Sequence, residues 1–235
     1  NPGHVNRENQ GGWVMEIDPQ RPGAAPVKRT ALGRFKHENA EVVEGRGKRI
    51  VVYMGDDERF DYIYKFVSDS NWKSMRARGM SPLDHGTLYA AKFADDGTGT
   101  WLPLTIEDPA LAARFEDQGE LVTFARIAGD VVGATPMDRP EWATAGPNGD
   151  IFFALTNNSR RTEADAANPR SPNPDGHIIR IEDGDHVGTT FECDTKVGPL
   201  RLTDLMEITR WEPGTAMGVR HVGLVTGEGA FTLAP

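Results

Sequence analysis

The sequence predicts an all-β fold of the β-propeller type, about half a propeller, with one or two short helices inserted. Short runs rich in β-branched and aromatic residues alternate with turns along most of the 235-residue chain. The 26 glycines and 16 prolines fall between these runs and not in low-complexity blocks. A loose internal repeat then places the same strand-and-turn pattern at two points in the chain, as repeat architectures do.

The individual strands are predicted from alternation and from the turns that bound them. In the first strand, Trp13, Met15 and Ile17 alternate with other residues before a turn at Asp18. The sequence DDGTG joins two later strands, and it is a strong turn signal because Asp and Gly tolerate positive φ angles. The predicted strands are 12–17, 30–35, 41–43, 49–54, 62–67, 86–93, 101–104 and 177–181.

Three stretches depart from this pattern. Residues 108–128 are rich in Ala, Leu, Glu and Arg, with Leu111, Phe115, Leu121 and Phe124 at helical spacing, which predicts the inserted helices. Residues 160–175 form a loop rich in Pro and Asn, and a loop of that length is often functional. Beyond Phe191 alternation is weak, and no clear strand-and-turn unit is predicted.

The internal repeat puts acidic and amide side chains at matching positions. Each unit has a basic residue and a glutamate, then a Gly-containing turn, a strand and a polar pair. Repeated strand units with matching carboxylates can direct those groups at one shared place, which favours an oxygen-rich metal site. The residues concerned are His37, Glu38, Asp56 and Asp57 in the first unit, and Arg139, Glu141, Asn157 and Asn158 in the second.

Composition excludes some partners. The net charge of −9 argues against a nucleic-acid partner, because phosphate contacts need clustered Lys and Arg. Bound cations could still reverse the sign of the field in a pocket, so the charge does not exclude a phosphate ester. The single cysteine, Cys193, cannot form an intrachain disulfide, and no apolar stretch approaches the roughly 20 residues that span a membrane.

Several motifs together resemble the PhoX family of alkaline phosphatases. The resemblance implies a β-propeller that hydrolyses small phosphomonoesters with calcium and iron (Ca2+ and Fe3+) in the periplasm or outside the cell. It covers residues 1–192 and leaves 193–235 unassigned. The motifs are GWVMEIDP from Gly12, KRTALGRFKHE from Lys28, VVYMGDDERFDYIYKFVS from Val51, LDHGTLYAAKF from Leu83, GATPMDRPEW from Gly133, LTNNSRR from Leu155 and GHIIR from Gly176.

The resemblance also implies roles for particular residues. Arg139 matches an arginine expected to contact the phosphate and to act in catalysis. Glu38 and Glu141 match metal ligands of the family. Asp56, Asp57 and Glu58 occupy the corresponding GDDE loop as candidate ligands, with calcium favoured because hard cations take oxygen donors. His37, Asn157 and Asn158 are the remaining candidates for substrate binding.

One departure from the family pattern bears on activity. The family's iron site also uses a cysteine from a block with a CAGG-like sequence, and this chain has no such block. Cys193 lies in a different context and does not replace it. A twin-arginine signal and further acidic ligands are also missing from this sequence, which leads to the expectation of a middle segment with little activity by itself.

A second interpretation stays open at this stage. The chain could be a non-catalytic β-propeller module that binds calcium or a protein partner, with Glu38, Asp57 and Glu141 purely structural. His37 could equally pack beside the first turn, and an Asp-rich turn such as the GDDE loop is common in proteins of many functions. The oligomeric state is not predicted.

Overall fold

The fold of the chain is given by a computed structural model. The structure describes residues 9–146, 149–182, 190–197, 200–212, 216–222 and 226–232. From residue 190 onward it describes the strands and their pairing, and side-chain burial only for residues 218–220.

Two groups of antiparallel strands open the described chain. The first is a short hairpin, and the second is a five-stranded meander in which each strand pairs with the next along the sequence. The hairpin consists of β1 (Met15–Glu16) and β2 (Val27–Lys28), and the meander of β3 (Glu41–Glu44), β4 (Ile50–Gly55), β5 (Ile63–Ser68), β6 (Gly86–Phe93) and β7 (Gly99–Pro103).

Four short α-helices lie among the described residues. Side chains cap three of them: the carboxylate of Asp108, for example, accepts hydrogen bonds from the backbone N–H groups of Ala110 and Leu111. The last helix ends at Gly133, whose φ of 71° is the left-handed conformation that glycine adopts easily. The helices are α1 (Trp72–Ala77), α2 (Pro109–Ala112), α3 (Gln118–Thr123) and α4 (Ala125–Val132).

The second half of the chain forms two further sheets. The three-stranded sheet has the order β10-β9-β8, and the four-stranded sheet is a meander of antiparallel neighbours. The strands are β8 (Pro140–Ala145), β9 (Ile151–Leu155), β10 (His177–Ile181), β11 (Thr190–Val197), β12 (Leu200–Glu212), β13 (Ala216–Val222) and β14 (Thr226–Thr232).

The chain divides into two compact units. The first holds the residues up to Ala145 together with Phe152–Arg180, and the second holds Gly146–Ile151 and Ile181–Pro235. All the candidate site residues belong to the first unit.

The core of the first unit lies between the five-stranded sheet and the helices. Met54, Tyr64 and Phe66 contribute buried side chains from β4 and β5, and Leu111 and Leu121 contribute them from α2 and α3. Burial of large apolar side chains stabilises a fold by about 1.5–3 kcal/mol each. This packing fixes the helices, and α4 in particular, against the sheet that carries the GDDE loop.

The predicted all-β class is confirmed, and three details differ. The first strand is shorter than the predicted 12–17, because only Met15–Glu16 pairs with β2. Residues 30–35 do not form the expected strand, because a 3-10 turn (Thr30–Leu32) is followed by Gly33 at a φ of 81°. A Cβ on Gly33 would lie 2.7 Å from the Leu88 side chain, so the chain turns where the core leaves no room. The strands β11–β14 were not predicted, because their sequences lack the clear alternation that marks a half-buried sheet.

Strands β4 and β8 approach each other closely at their ends. A Cβ on Gly55 would lie 2.4 Å from the carbonyl oxygen of Pro140, so only glycine allows the two backbones to come together. The side chain of Asn39 bonds both backbone groups of Ala143, at 2.7 Å and 2.9 Å. The two units of the sequence repeat are therefore in direct contact.

Candidate functional site

The site is built where two loops lie side by side. The GDDE loop (residues 56–61) follows β4, and the DRP loop (residues 136–139) precedes β8. The backbone N–H of Phe60 donates to the carbonyl oxygen of Met137 at 2.8 Å, and the N–H of Met137 donates to that of Asp61 at 2.9 Å. Arg59 and Asp138 form an antiparallel bridge between them. The loops therefore hold each other in register.

Asp56 anchors the GDDE loop. Its side chain is fully buried, and both carboxylate oxygens accept hydrogen bonds from the guanidinium of Arg126 on α4, with the Nε donor at 2.6 Å. Burial raises the pKa of this carboxyl, and the bonds to Arg126 oppose that rise. Since both oxygens are already bonded, Asp56 serves better as an anchor than as a metal ligand.

Asp138 anchors the DRP loop in the same way. This aspartate is also fully buried, and its Oδ1 accepts from Nε of Arg161 at 2.6 Å while its Oδ2 accepts from the Asn173 amide at 2.9 Å. Arg161 donates a further bond to the carbonyl oxygen of Pro136 at 2.7 Å. Each loop thus has a fully buried aspartate, paired with an arginine, directly before a candidate site residue.

Asp57 and Arg139 meet between the two anchors. Nη2 of Arg139 donates to Oδ2 of Asp57 at 2.9 Å and lies 3.4 Å from a carboxylate oxygen of Glu141. It also lies 2.8 Å from Oδ1 of Asp57, a buried oxygen that is in ion-pair contact with Arg139 and accepts no hydrogen bond. Arg139 has a φ of 58°, a strained conformation for a residue with a side chain.

Two other predicted ligands differ in their surroundings. Glu58 forms an ion pair with Lys36 on the exposed side of the GDDE loop, and this contact lowers the pKa of Glu58 to about 2. Glu38 is exposed, and no described residue forms a hydrogen bond or ion pair with it. Asn39 follows it and is bonded to β8, so Glu38 is tied to the strand that carries Glu141.

His37 is largely buried and uncharged. Its ring stacks on Phe35 with centroids 3.7 Å apart, and its Nε2 lies 3.0 Å from the carbonyl oxygen of Gly33. Burial lowers the pKa of His37 to about 4, so the imidazole is neutral near pH 7. Its buried Nδ1 has no hydrogen-bond partner among the described residues. The packing role considered from the sequence is thus present, and Nδ1 keeps a free lone pair.

The two asparagines after β9 have different environments. Asn157 is partly exposed, and its Oδ1 accepts from Nη2 of Arg59 at 3.1 Å. Asn158 is fully buried, its Oδ1 accepts from the backbone N–H of Arg160, and its backbone pairs with Asn173. Asn158 therefore shapes the loop, whereas Asn157 lies closer to solvent.

Three arginines of this region have contacts that the sequence did not predict. Arg59 directly follows Glu58 in a loop dominated by carboxylates, and its sequence context alone gives no signal of a role. Arg126 contacts a residue 70 positions away, and Arg161 one 23 positions away, so only the fold reveals either pair. A signal was available for Arg126, since it is a charged residue between the apolar Ala125 and Ile127 of a predicted helix.

The donor set fits a hard cation in part. Asp57 has a buried, unbonded carboxylate oxygen, and Glu38 and Glu141 add oxygens of the kind calcium prefers. The bonds of Asp56 to Arg126 and of Glu58 to Lys36 disfavour these two carboxylates as ligands. Within the described ranges, no three His, Cys, Asp or Glu side chains lie close enough together to hold a metal ion. The side chain of Cys193, in β11, is outside the described part.

Comparison with known proteins identifies the family. The family model described as "Alkaline phosphatase PhoX" matches residues 3–200. The chain belongs to the PhoX family. No curated protein matches the sequence.

A solved PhoX structure shares this fold. That structure is Pseudomonas fluorescens PhoX in complex with vanadate, a transition state analogue, and it is 35% identical to the chain with a TM-score of 0.67. The match covers 92% of this chain and 47% of that one, so the chain spans about half the length of this PhoX relative. The propeller-like type predicted from the repeat is thereby confirmed. No helix of the described residues is long and apolar enough to cross a membrane.

Proposed function

We propose that this chain carries part of the site of a phosphomonoesterase, with Arg139 binding the phosphoryl group of the substrate. The observation that carries the proposal is the contact of Arg139 with Asp57 and Glu141 at the junction of the two anchored loops. A relative at 35% identity has been solved with vanadate, a transition state analogue, which supports an oxyanion as the ligand of this fold.

Arg139 suits this role for physical reasons. A guanidinium stays charged at any physiological pH, and its parallel N–H groups match two phosphoryl oxygens. The side chain is 25% exposed, so a ligand can reach it while the surroundings exclude most water. Asp57 orients the guanidinium by accepting a hydrogen bond from Nη2 at 2.9 Å. An arginine positioned in advance stabilises charge without further reorganisation.

Asp57, Glu141 and Glu38 are proposed as individual calcium ligands and not as one three-ligand cluster, which the described residues do not form, and Asn157 is proposed as a further substrate contact. Bound cations would neutralise charge on the phosphoryl and leaving oxygens. Cations also explain how a chain of net charge −9 can bind an anion. Iron stays part of the proposal only through the family, because the cysteine block of its site is missing from the sequence.

The substrate proposed is a small phosphomonoester, and the proposed location is the periplasm or the medium. Little hydrolysis is expected from the 235-residue chain, since its match covers 47% of the solved relative. Strong hydrolysis of p-nitrophenyl phosphate that a chelator abolishes would overturn this part of the proposal.

The site itself can be tested by binding. Calorimetry should show that the chain binds orthophosphate when calcium is present and not after chelation, and Arg139→Met should weaken this binding at least about tenfold. Arg76→Met is the matched control, because Arg76 is exposed on α1 and the substitution removes the same charge. Equal phosphate binding by the two variants would contradict the assignment of Arg139.

One observation favours a second candidate, a non-catalytic module that binds calcium or a protein partner. Two fully buried aspartates, Asp56 and Asp138, are each paired with an arginine, and such pairs are well suited to structural support. Glu141→Gln and Glu38→Gln in a full-length enzyme separate the two functions. Lost turnover at unchanged thermal stability supports catalysis, whereas lost stability at unchanged turnover supports the module.

A further inference from the structure

Arg59 is a partly buried arginine without an acidic partner among the described residues, a property that it shares with Arg34, which donates to the carbonyl oxygen of Gly11. None of the described carboxylates lies within 4.0 Å of its guanidinium. Four other arginines are each within ion-pair distance of at least one carboxylate: Arg29, Arg126, Arg139 and Arg161.

The guanidinium of Arg59 is held by a neutral group instead. Its Nη2 donates to Oδ1 of Asn157 at 3.1 Å, and its Nε is buried without a hydrogen-bond partner. A side-chain amide orients a guanidinium but leaves its full positive charge uncompensated. Partly burying such a charge is unfavourable until an anion pairs with it.

The chain places Arg59 beside the candidate site. Its backbone is bridged to that of Asp138, the residue directly before Arg139. The residue before Asn157, Thr156, donates its backbone N–H to the carbonyl oxygen of Arg139 at 3.1 Å. The GDDE loop and the DRP loop therefore each contribute one arginine at the point where they join.

We infer that Arg59 is a second substrate-binding residue for the phosphoryl group, and that Asn157 positions it. The inference rests on the proposed function and deepens it. A phosphomonoester carries close to two negative charges at neutral pH, so two arginines offer it more than Arg139 alone can. Arg139 shares its charge with Asp57 and Glu141, whereas Arg59 shares its charge with no described carboxylate.

The test uses the 235-residue chain, calorimetry with orthophosphate and saturating calcium. Arg59→Met should weaken phosphate binding at least about tenfold, since a hydrogen bond to a charged group is lost. The calcium affinity and the melting temperature should stay close to those of the wild type. If Arg59 were merely structural, its substitution would lower them. Arg76→Met, the same change on exposed α1, should alter phosphate binding less than about twofold.

A second pair of variants guards against poor folding of Arg59→Met. Arg59→Lys keeps the charge and should still lose about threefold or more, because an ammonium group cannot present two parallel N–H groups. Asn157→Ala should weaken phosphate binding about threefold in the wild type and no further in Arg59→Met, because Asn157 acts here by positioning Arg59. If the wild type binds phosphate and all these variants bind it equally well, the role of Arg59 is wrong and the proposed function is unaffected. Failure of the wild type to bind phosphate would overturn the proposed function as well.

Discussion

The two loops of the candidate site are anchored by the same kind of pair in different surroundings. Asp56 with Arg126 and Asp138 with Arg161 each join a fully buried carboxylate to a guanidinium, with Nε donors at 2.6 Å. The arginines differ, however, because the Arg161 side chain is 7% exposed and the Arg126 side chain is 35% exposed.

The difference shows that similar bond lengths do not imply similar contributions to stability. Around Arg161, the Pro136 carbonyl and Asp165 take up further N–H groups, and Asn173 satisfies the second oxygen of Asp138. Arg126 has a side open to water and a second carboxylate, Asp61, at 3.6 Å. We therefore expect the DRP loop to be held more rigidly than the GDDE loop, and loss of its anchoring arginine to cost more stability.

The largest effect is predicted for Arg161→Met. The substitution leaves the Asp138 carboxylate buried with only the Asn173 amide as a partner, and an uncompensated buried charge typically costs about 4 kcal/mol. Urea unfolding at pH 7 should show this loss in the free energy of unfolding. Arg160→Met, one residue away and exposed, should change it by less than about 0.5 kcal/mol. A loss below about 1 kcal/mol for Arg161→Met would mean that the two anchors are not distinguished by burial.

A smaller loss is predicted for Arg126→Met. Water can approach Asp56 from the exposed side of Arg126, so the loss should be about 2 kcal/mol in the same urea experiment. Combining this variant with Asp56→Asn in a double-mutant cycle should recover part of the loss, because the amide carries no charge to leave unpaired. A cost equal to that of Arg161→Met would show that the exposure of the arginine is unimportant.

The extent to which the sequence predicted the fold can be seen from particular strands. The strand at 86–93 is confirmed residue for residue, and those at 49–54 and 62–67 are each displaced by one residue. β-branched runs, alternation and turn residues are local signals, so they succeed both in strands with one buried face and in β4, which is buried on both faces. The predicted strand at 30–35 was wrong because the chain turns at Gly33, where the Leu88 side chain leaves no room for a Cβ. The local sequence does not reveal a contact with so distant a residue.

The same distinction explains the site. The repeat placed Asp57 and Arg139 in matching units, and the structure brings their side chains to 2.9 Å. The sequence could not predict that Asp56, next to Asp57, would be bonded to an arginine of α4, because that contact depends on how the helix packs on the sheet. Neighbouring carboxylates with the same local sequence therefore acquired different roles through tertiary packing.

The smallest effect concerns Asp61 and depends on pH. Burial, and after it the charge of Asp56, raise the pKa of Asp61 to about 6, while Arg126 lowers it in part. Folding raises the pKa of this carboxyl group, so the group stabilises the fold at pH values below its pKa in the unfolded chain, near 4. That stabilisation is lost as the pH rises through 6. The side chain at position 61 stays neutral in Asp61→Asn at every pH. The free energy of unfolding of this variant, relative to that of the wild type, should therefore rise by about 1 kcal/mol between pH 4 and pH 7. Urea unfolding of both proteins at pH 4, 5, 6 and 7 measures this gain. If the difference in free energy of unfolding between the two proteins stays constant with pH, Asp61 ionises as easily in the folded chain as in the unfolded one. Arg126 would then neutralise the GDDE loop as well as Arg161 neutralises the DRP loop.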